Sequence, residues 1–119
     1  MVKILQDFEP FFGYSKTNIP ETGAFHYLRK LGVIDIGSNS VRMVVFDGAA
    51  RSPAYFFNEK ILCGLGSGLA HSGKLHPEGR SRAIAAIERF VNMAQVMEVP
   101  QLTLIATAAV RSASDGLLF

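Results

Sequence analysis

The sequence predicts an α/β fold in which helices flank a mixed sheet, and three observations lead to this prediction. Two apolar segments separated by a short polar turn begin at Leu31, and a third strand-like segment follows them. A long amphipathic segment comes next, and a fourth apolar segment follows it. An antiparallel hairpin followed by a helical crossover is typical of a mixed sheet.

Runs of mostly apolar residues, bounded by residues that favour turns, predict four strands. They cover residues 31–36, 41–46, about 54–63 and 102–105. The polar residues between the first two strands form a tight turn, so these strands are predicted to pair as an antiparallel hairpin. Gly48 follows Asp47 as a turn signal, and the third strand is predicted to pair back on the second.

A helix is predicted to begin at Pro77, because proline is well tolerated in the first helical turn, and to end before Pro100. Its apolar stripe is centred on Ile84, Ile87, Val91 and Ala94, and is widened by Ala83, Phe90 and Met97. The arginines near this helix, Arg80, Arg82 and Arg89, are interpreted as a solvated face. Residues 64–75 are predicted to form an irregular connection. Residues 102–105 are predicted to form a short buried strand, and residues 106–113 are predicted to form a turn that leads into a second helix.

Composition limits the functions that the chain can have. Its 119 residues are 49% hydrophobic, which allows one domain with a modest core and excludes a disordered tail. Because 12 basic and 10 acidic residues leave a net charge of +2 without a basic run, no nucleic-acid partner is expected. No apolar stretch is long enough to span a bilayer and no signal-peptide pattern is present, which predicts no membrane partner and a cytoplasmic location. The single cysteine, Cys63, excludes an internal disulfide and is interpreted as a buried apolar residue.

The chain is predicted to divide near residue 30. Residues 1–30 carry six of the 12 aromatic residues together with several prolines and glycines, and are interpreted as an aromatic arm. Residues 31–119 are expected to form a domain that is incomplete, because apolar residues continue to Phe119. An unfinished sheet exposes strand edges, so a homo-oligomer is expected.

The turn between the first two strands carries the strongest chemical signal. Its residues are Gly37, Ser38, Asn39 and Ser40. Glycine lets the backbone approach a ligand closely, and successive N–H groups in a turn can form an anion-binding nest. Hydroxyl and amide groups add further donors. The pattern suits phosphate, although a turn rich in Asn and Ser is equally typical of an ordinary hairpin.

Charged residues flank this turn on both sides. Asp35 precedes it and is predicted to share a face of its strand with Leu31 and Val33 at the rim of the sheet. A carboxylate is not attracted to phosphate, and its natural role there is to hold Mg²⁺ or to orient a water. Arg42 follows the turn and would offset phosphate charge; the alternative is a locally hydrogen-bonded Asp35.

Two later segments carry residues of types that occur in ligand sites. Residues 64–68 contain three glycines, but their spacing and the distant helix exclude a dinucleotide fingerprint, which leaves a tight or flexible connection. Thr107 lies at a strand end, where it is predicted to cap the next helix, and Arg111 lies one turn further on. Both residues suit a phosphate, although for this segment alone a helix of small packing residues with an exposed arginine is the favoured interpretation. His26, His71 and His76 lack partners at metal-site spacing and are interpreted as surface or packing residues.

Taken in order, five segments resemble the N-terminus of the exopolyphosphatase and guanosine pentaphosphate phosphohydrolase family. They are residues 33–46, 57–60, 65–69, 72–75 and 106–111. The resemblance implies the actin-like ATPase superfamily with its ribonuclease H-like domains, here incomplete. It also implies Mg²⁺-dependent removal of a terminal phosphate from polyphosphate or from a phosphorylated guanosine nucleotide. Ser112 and Asp115 depart from the family's usual residues, and we regard both departures as minor.

The resemblance also assigns roles to individual residues. It implies that Asp35 holds the metal and that phosphate is bound by Gly37, Ser38, Asn39, Ser40, Arg42, Thr107 and Arg111. The family's catalytic glutamate lies beyond Phe119, so no catalytic residue is expected in this chain, and little or no activity. The alternatives are a sugar-kinase-like relative and a non-catalytic phosphate-binding or self-assembling module.

Overall fold

Four strands form one sheet in the order β3-β2-β1-β4. A computed structural model describes residues 30–47 and 54–119, so the predicted aromatic arm, apart from Lys30, and the turn at Gly48 lie outside the described residues. The strands are β1 Leu31–Ile36, β2 Ser40–Asp47, β3 Ala54–Leu62 and β4 Gln101–Ala106. The helices are α1 Leu69–Ser72, α2 Pro77–Val96 and α3 Ala108–Ser112, and a 3₁₀ turn covers Gly116–Leu118.

Strand pairing makes the sheet mixed, as predicted. β1 pairs antiparallel with β2, and β2 pairs antiparallel with β3. β1 pairs in parallel with β4, and α2 supplies the crossover that parallel neighbours require. Because β1 and β4 run in parallel, the segments that follow them emerge at the same end of the sheet.

One face of the sheet packs against α2 and forms the core. Ile34 on β1 and Val41, Met43 and Val45 on β2 are fully buried there, and Phe90 of α2 is fully buried against the same core. Alternation along β1 therefore falls as predicted, with Leu31, Val33 and Asp35 on the opposite side. Cys63 is also buried in this core, which confirms its interpretation as a packing residue.

The predicted stripe of α2 is confirmed for Ala94, Ile87 and Val91, which are buried or pack against the core, and wrong for Ile84. Ile84 is 43% exposed, whereas Phe90 is completely buried. Ala83 and Ala86 lie beneath the helix axis and let α2 approach the sheet closely, so the buried stripe is displaced toward the small residues. Two further predictions also need correction. The connection after β3 contains the short helix α1, and no residue of β4 is fully buried, because β4 has only one neighbour among the described strands.

The other face of the sheet carries no fully buried side chain among the described residues. We call it the open face. Its side chains are Leu31, Val33, Asp35, Ser40, Arg42, Val44, Phe46, Asn58, Lys60, Leu62, Gln101, Thr103 and Ile105. The charged members, Asp35, Arg42 and Lys60, lie near the turn that joins β1 to β2.

The arginines near α2 were predicted to form a solvated face, and Arg82 and Arg89 are exposed, but Arg80 is half-buried and all three make specific contacts. Arg89 Nη1 lies 2.6 Å from Glu59 Oε1 on β3, and Arg80 Nη1 lies 3.1 Å from Asp115 Oδ2. Arg82 Nε donates to a backbone carbonyl just after β3. Exposed ion pairs of this kind contribute little stability, so their main effect is to fix the direction of α2 across the sheet. Among the described residues, no helix has the length and apolar character needed to cross a membrane.

Candidate phosphate-binding site

The hairpin turn, residues 37–40, is closed by a hydrogen bond from the N–H of Gly37 to the carbonyl oxygen of Ser40, at 2.9 Å. A Cβ atom on Gly37 would lie 3.1 Å from that oxygen, which is tighter than most real Cβ contacts. Glycine at position 37 therefore permits this close turn. Ser38 and Asn39 lie at its tip and are exposed.

The carbonyl groups of Ser38 and Asn39, at the tip of the turn, are both directed to the segment that follows β3. The Ser38 carbonyl accepts from the N–H of Gly66 at 2.7 Å. The Asn39 carbonyl accepts from Cys63 at 2.8 Å and from Gly64 at 2.9 Å. Because a trans peptide holds its C=O and N–H antiparallel, the N–H groups of Asn39 and Ser40 point the opposite way. Successive N–H groups that point the same way from a turn can line a concave site that favours an anion.

Side chains of the turn add more donors. Ser38 and Asn39 are exposed, and Ser40 is half-buried. None of these three side chains makes a hydrogen bond to another residue within the part of the chain that the structure describes. Two hydroxyl groups and one amide group are thus free to bind a ligand, and the positions predicted from the sequence are brought together on one turn.

The glycine loop, residues 64–68, is the scaffold of this site. Gly64 and Gly68 have φ values of 66° and 72°, which residues with a Cβ rarely adopt. A Cβ on Gly66 would lie 3.2 Å from Ser38 Cβ and 3.4 Å from Ala109 Cβ. The loop therefore lies between the hairpin turn and α3, so the three segments that the sequence singled out meet in space.

The first turns of α2 pack against the glycine loop and the residue before it. Arg82 Nε donates to the carbonyl of Cys63 at 2.8 Å. A Cβ on Gly79 would lie 2.6 Å from the carbonyl oxygen of Gly64, so the first turn of α2 packs directly on the loop backbone. His76 Nδ1 accepts from the N–H of Gly79 at 3.2 Å, which gives His76 the role of N-cap. The sequence signal for this contact is Gly79, because a glycine inside a helix often marks a close packing contact.

Thr107 does not cap α3 with its side chain, contrary to prediction. Its N–H and its hydroxyl both donate to the carbonyl of Ile36, at 3.0 Å and 3.1 Å. This contact ties the end of β4 to the end of β1, immediately before the hairpin turn. Because α3 has only five residues, its dipole attracts an anion weakly. Arg111 in its last turn is exposed, and no contact joins it to the hairpin turn among the described residues.

Asp35 and Arg42 are direct cross-strand partners on the open face. Arg42 Nε donates to Asn58 Oδ1 on β3 at 2.8 Å, which leaves its two terminal nitrogens available. The Asp35 carboxylate is exposed and makes no hydrogen bond or ion pair with any described residue. No cluster of three or more His, Cys, Asp or Glu suited to a metal occurs in residues 30–47 and 54–119. A single free carboxylate beside a phosphate site nevertheless fits Mg²⁺, which keeps several waters and takes one or two carboxylates together with substrate phosphates.

Comparison with known sequences gives a consistent result. The model of the Ppx/GppA phosphatase family matches residues 44–119. Exopolyphosphatase 1 of Mycobacterium tuberculosis and of Mycobacterium bovis are each 32% identical to this chain over 88 residues. The match covers 73% of this chain and 26% of either relative, so the chain spans about a quarter of their length.

Solved structures share the fold. An exopolyphosphatase from Cytophaga hutchinsonii is 30% identical and superposes with a TM-score of 0.70, over 76% of this chain and 29% of that one. A Ppx/GppA family member from Aquifex aeolicus is 21% identical and superposes with a TM-score of 0.71, over 76% of this chain and 29% of that one. The likeness to the Aquifex aeolicus protein concerns the fold alone. Both solved structures confirm the predicted mixed α/β sheet.

Proposed function

Because the chain belongs to the Ppx/GppA phosphatase family, we propose that its hairpin turn binds the phosphate groups of inorganic polyphosphate as part of a phosphohydrolase. The observation that carries the proposal is the orientation of the turn, whose carbonyls are bound on one side while N–H groups face the other. The names of the relatives support polyphosphate as the ligand. Removal of a terminal phosphate is the proposed reaction.

Each part of the site has a defined task in this proposal. The N–H groups of Asn39 and Ser40, with the hydroxyl of Ser38, donate to the phosphate oxygens. Arg42 adds a charge-assisted contact from β2, and Asn58 holds its guanidinium in place. Thr107 fixes the end of β4 beside the turn through Ile36. We propose that its hydroxyl exchanges this bond for one to phosphate when the ligand binds, while its N–H keeps the bond to Ile36, and that Arg111 is a further phosphate contact.

Asp35 is the proposed ligand of Mg²⁺. When bound, the metal would supply positive charge to the phosphate oxygens and orient a water for attack. Asp35 suits this task because its carboxylate is exposed at the end of β1 and makes no bond within the described residues. Its negative charge beside Arg42 would also keep that guanidinium directed toward the ligand.

We further propose that the 119 residues by themselves bind polyphosphate without efficient hydrolysis. Among the side chains that the structure describes on the open face, Asp35 is the one that is acidic, and a carboxylate that holds a metal is a poor general base. Rapid phosphate release by the 119-residue chain, lost on Asp35→Ala, would refute this part of the proposal.

Isothermal titration of the 119-residue chain with polyphosphate of defined length, in Mg²⁺ buffer, tests binding directly. Substitution Arg42→Gln should weaken binding about tenfold, because a charge-assisted contact is lost. Ser38→Ala should weaken it about threefold, whereas Ser81→Ala, an exposed serine on α2, should not. Absence of binding by the unchanged chain at millimolar polyphosphate would overturn the proposal.

Guanosine pentaphosphate is the second ligand class that we propose for the same turn, since the family model covers both Ppx and GppA phosphatases. A guanosine nucleotide presents the same terminal phosphates to the N–H groups of the turn. It should therefore compete with polyphosphate, and Arg42→Gln should weaken both ligands. Phosphorylation of a sugar by ATP would favour a sugar-kinase-like relative instead.

Self-association is the remaining proposal for the chain. β3 and β4 are the outer strands of the described sheet, and an outer strand presents unpaired backbone groups. Leu62 at the end of β3 is 64% exposed, which adds apolar surface at that edge. Light scattering of the chain in dilute solution should give a mass above that of a monomer, and a strictly monomeric mass would count against it.

A further inference from the structure

A row of charged side chains crosses three strands of the open face. Asp35 on β1 lies directly opposite Arg42 on β2, and Arg42 lies directly opposite Lys60 on β3. All three side chains are exposed and, by the alternation of the strands, project from the same face. Neighbouring strands are about 4.8 Å apart, so the row spans roughly 10 Å from Asp35 to Lys60.

Neither cation of this row forms an ion pair with a described carboxylate, although Asp35 lies directly opposite Arg42. Like charges directly opposite each other on a sheet repel, and such pairs are normally relieved by a nearby acidic residue. Arg42 donates to the neutral amide of Asn58, and Lys60 has no ion pair with any described residue. Glu59, next to Lys60 in sequence, points to the other face, where Arg89 binds it. Asp35 adjoins Arg42 and is one strand further from Lys60, so Lys60 keeps a positive charge without an acidic partner among the described residues of the open face.

We propose that Lys60 binds a second phosphate group of a linear polyanion, adjacent to the group bound by the hairpin turn and Arg42. This inference rests on the proposed function and deepens it, since it assigns a direction to the ligand. Ser40 and Arg42 are two residues apart on β2, about 7 Å, and Lys60 lies one strand further. A single phosphate cannot contact the turn and Lys60 together, whereas a chain of phosphates lying across β2 and β3 can.

The same placement explains the role of Asn58. Its amide oxygen binds Arg42 Nε at 2.8 Å and so fixes the guanidinium over the face shared with Lys60. Asn58 lies opposite Val44, two residues further from the turn than Lys60, so this bond directs the guanidinium toward β3, the strand that carries Lys60. A linear polyanion would thus meet donors in the order turn, Arg42, Lys60.

Titration of the 119-residue chain in Mg²⁺ buffer with three probes tests the inference: inorganic phosphate, tripolyphosphate and a long polyphosphate of defined length. Lys60→Gln should weaken the two polyphosphates about fivefold and leave inorganic phosphate unchanged, because only a chain reaches β3. Lys60→Arg should restore most of the loss. Lys74→Gln removes the same charge from the exposed segment before α2 and should change none of the three affinities.

Each outcome is decisive. Equal losses for Lys60→Gln and Lys74→Gln would show a general charge effect and overturn the inference, as would an equal loss for phosphate and polyphosphate. Unchanged polyphosphate binding by Lys60→Gln, with Arg42→Gln weakened, would reject the role of Lys60 and leave the proposed function standing. Failure of the unchanged chain to bind any probe would overturn both. Thermal unfolding of Lys60→Gln should match that of the unchanged chain, since Lys60 is exposed.

Discussion

The carbonyl oxygen of Ser38 accepts a 2.7 Å hydrogen bond from the backbone N–H of Gly66, across 28 residues of sequence. This bond turns the Ser38 carbonyl away from solvent and thereby turns the following N–H toward it. The hairpin turn thus owes its orientation to the glycine loop, and the two segments act as one unit in the proposed phosphate site.

Substitution Gly66→Ala should impair phosphate binding. The new Cβ would lie 3.2 Å from Ser38 Cβ and 3.4 Å from the Ser38 carbonyl oxygen, so the turn must shift by a few tenths of an ångström. We expect about a tenfold loss of polyphosphate affinity, because several hydrogen bonds to one anion depend on this geometry. Isothermal titration measures it.

Gly73→Ala is the matched control for that substitution. Gly73 has a φ of 67° with nothing within 4 Å of a Cβ, so alanine should cost about 1 kcal/mol of stability through backbone strain alone. Its polyphosphate affinity should equal that of the unchanged chain at a temperature where both are folded. If both variants lose affinity in proportion to stability, Gly66 has no specific role in the site.

Asp35→Asn should abolish the effect of Mg²⁺ on polyphosphate binding. The amide keeps the shape of the side chain but loses the negative charge that a divalent cation requires. Titration with and without Mg²⁺ should show a stronger affinity with the metal for the unchanged chain and no difference for the variant. Glu88→Gln, an exposed acidic residue on α2, should keep the Mg²⁺ effect. Loss of the effect in both variants would indicate nonspecific charge screening.

The parts of the fold and site that the sequence predicted are those determined by local contacts. The strands β1 and β2 and the turn between them follow from alternation and turn chemistry within 17 residues. The start of α2 at Pro77 and its end before Pro100 follow from the properties of proline. The donors of the hairpin turn were found for the same reason, since they lie next to one another in the chain.

The parts that were missed depend on contacts between distant residues. Nothing near Gly66 in the sequence indicates that it binds Ser38, and nothing near Arg82 indicates its bond to Cys63. The burial of Phe90 in place of Ile84 depends on the rotation of α2, which is set by packing and not by periodicity. Helix α1 has four residues and is too short to show a period.

Stability should fall in acid through Asp115. The N–H of Leu75, which donates to Asp115 Oδ1 at 3.0 Å, lowers the pKa of this carboxyl, and Arg80 at 3.1 Å lowers it further. A lowered pKa in the folded state means that the ionised form is favoured by folding. Its contribution is therefore complete above about pH 4 and is lost as the pH falls through the folded-state value. Urea denaturation at a series of pH values measures the effect.

The variant Asp115→Asn removes the titrating group and should flatten that decline. Its stability should be lower than that of the unchanged chain at neutral pH, and the difference should shrink in acid. Glu88→Gln, whose carboxyl is exposed on α2, should reproduce the pH profile of the unchanged chain. A decline of the same steepness in Asp115→Asn would assign the acid sensitivity to other carboxyl groups.

Gly79→Ala should destabilise the protein although glycine is a poor helix former. In an ordinary helical position alanine would add about 1 kcal/mol of stability. Here a Cβ would lie 2.6 Å from the Gly64 carbonyl oxygen and 2.9 Å from Leu65 Cα. Both are backbone atoms, so the clash can be relieved only by a shift of the main chain. We expect a net loss of about 1–3 kcal/mol, as for other overpacked contacts, together with weaker polyphosphate binding because the glycine loop is displaced. Urea denaturation of this variant beside Ser81→Ala, an exposed position on the same helix, separates the two effects, since Ser81→Ala should gain a few tenths of a kcal/mol. A gain of stability in Gly79→Ala would show that α2 does not press on the loop that orients the hairpin turn.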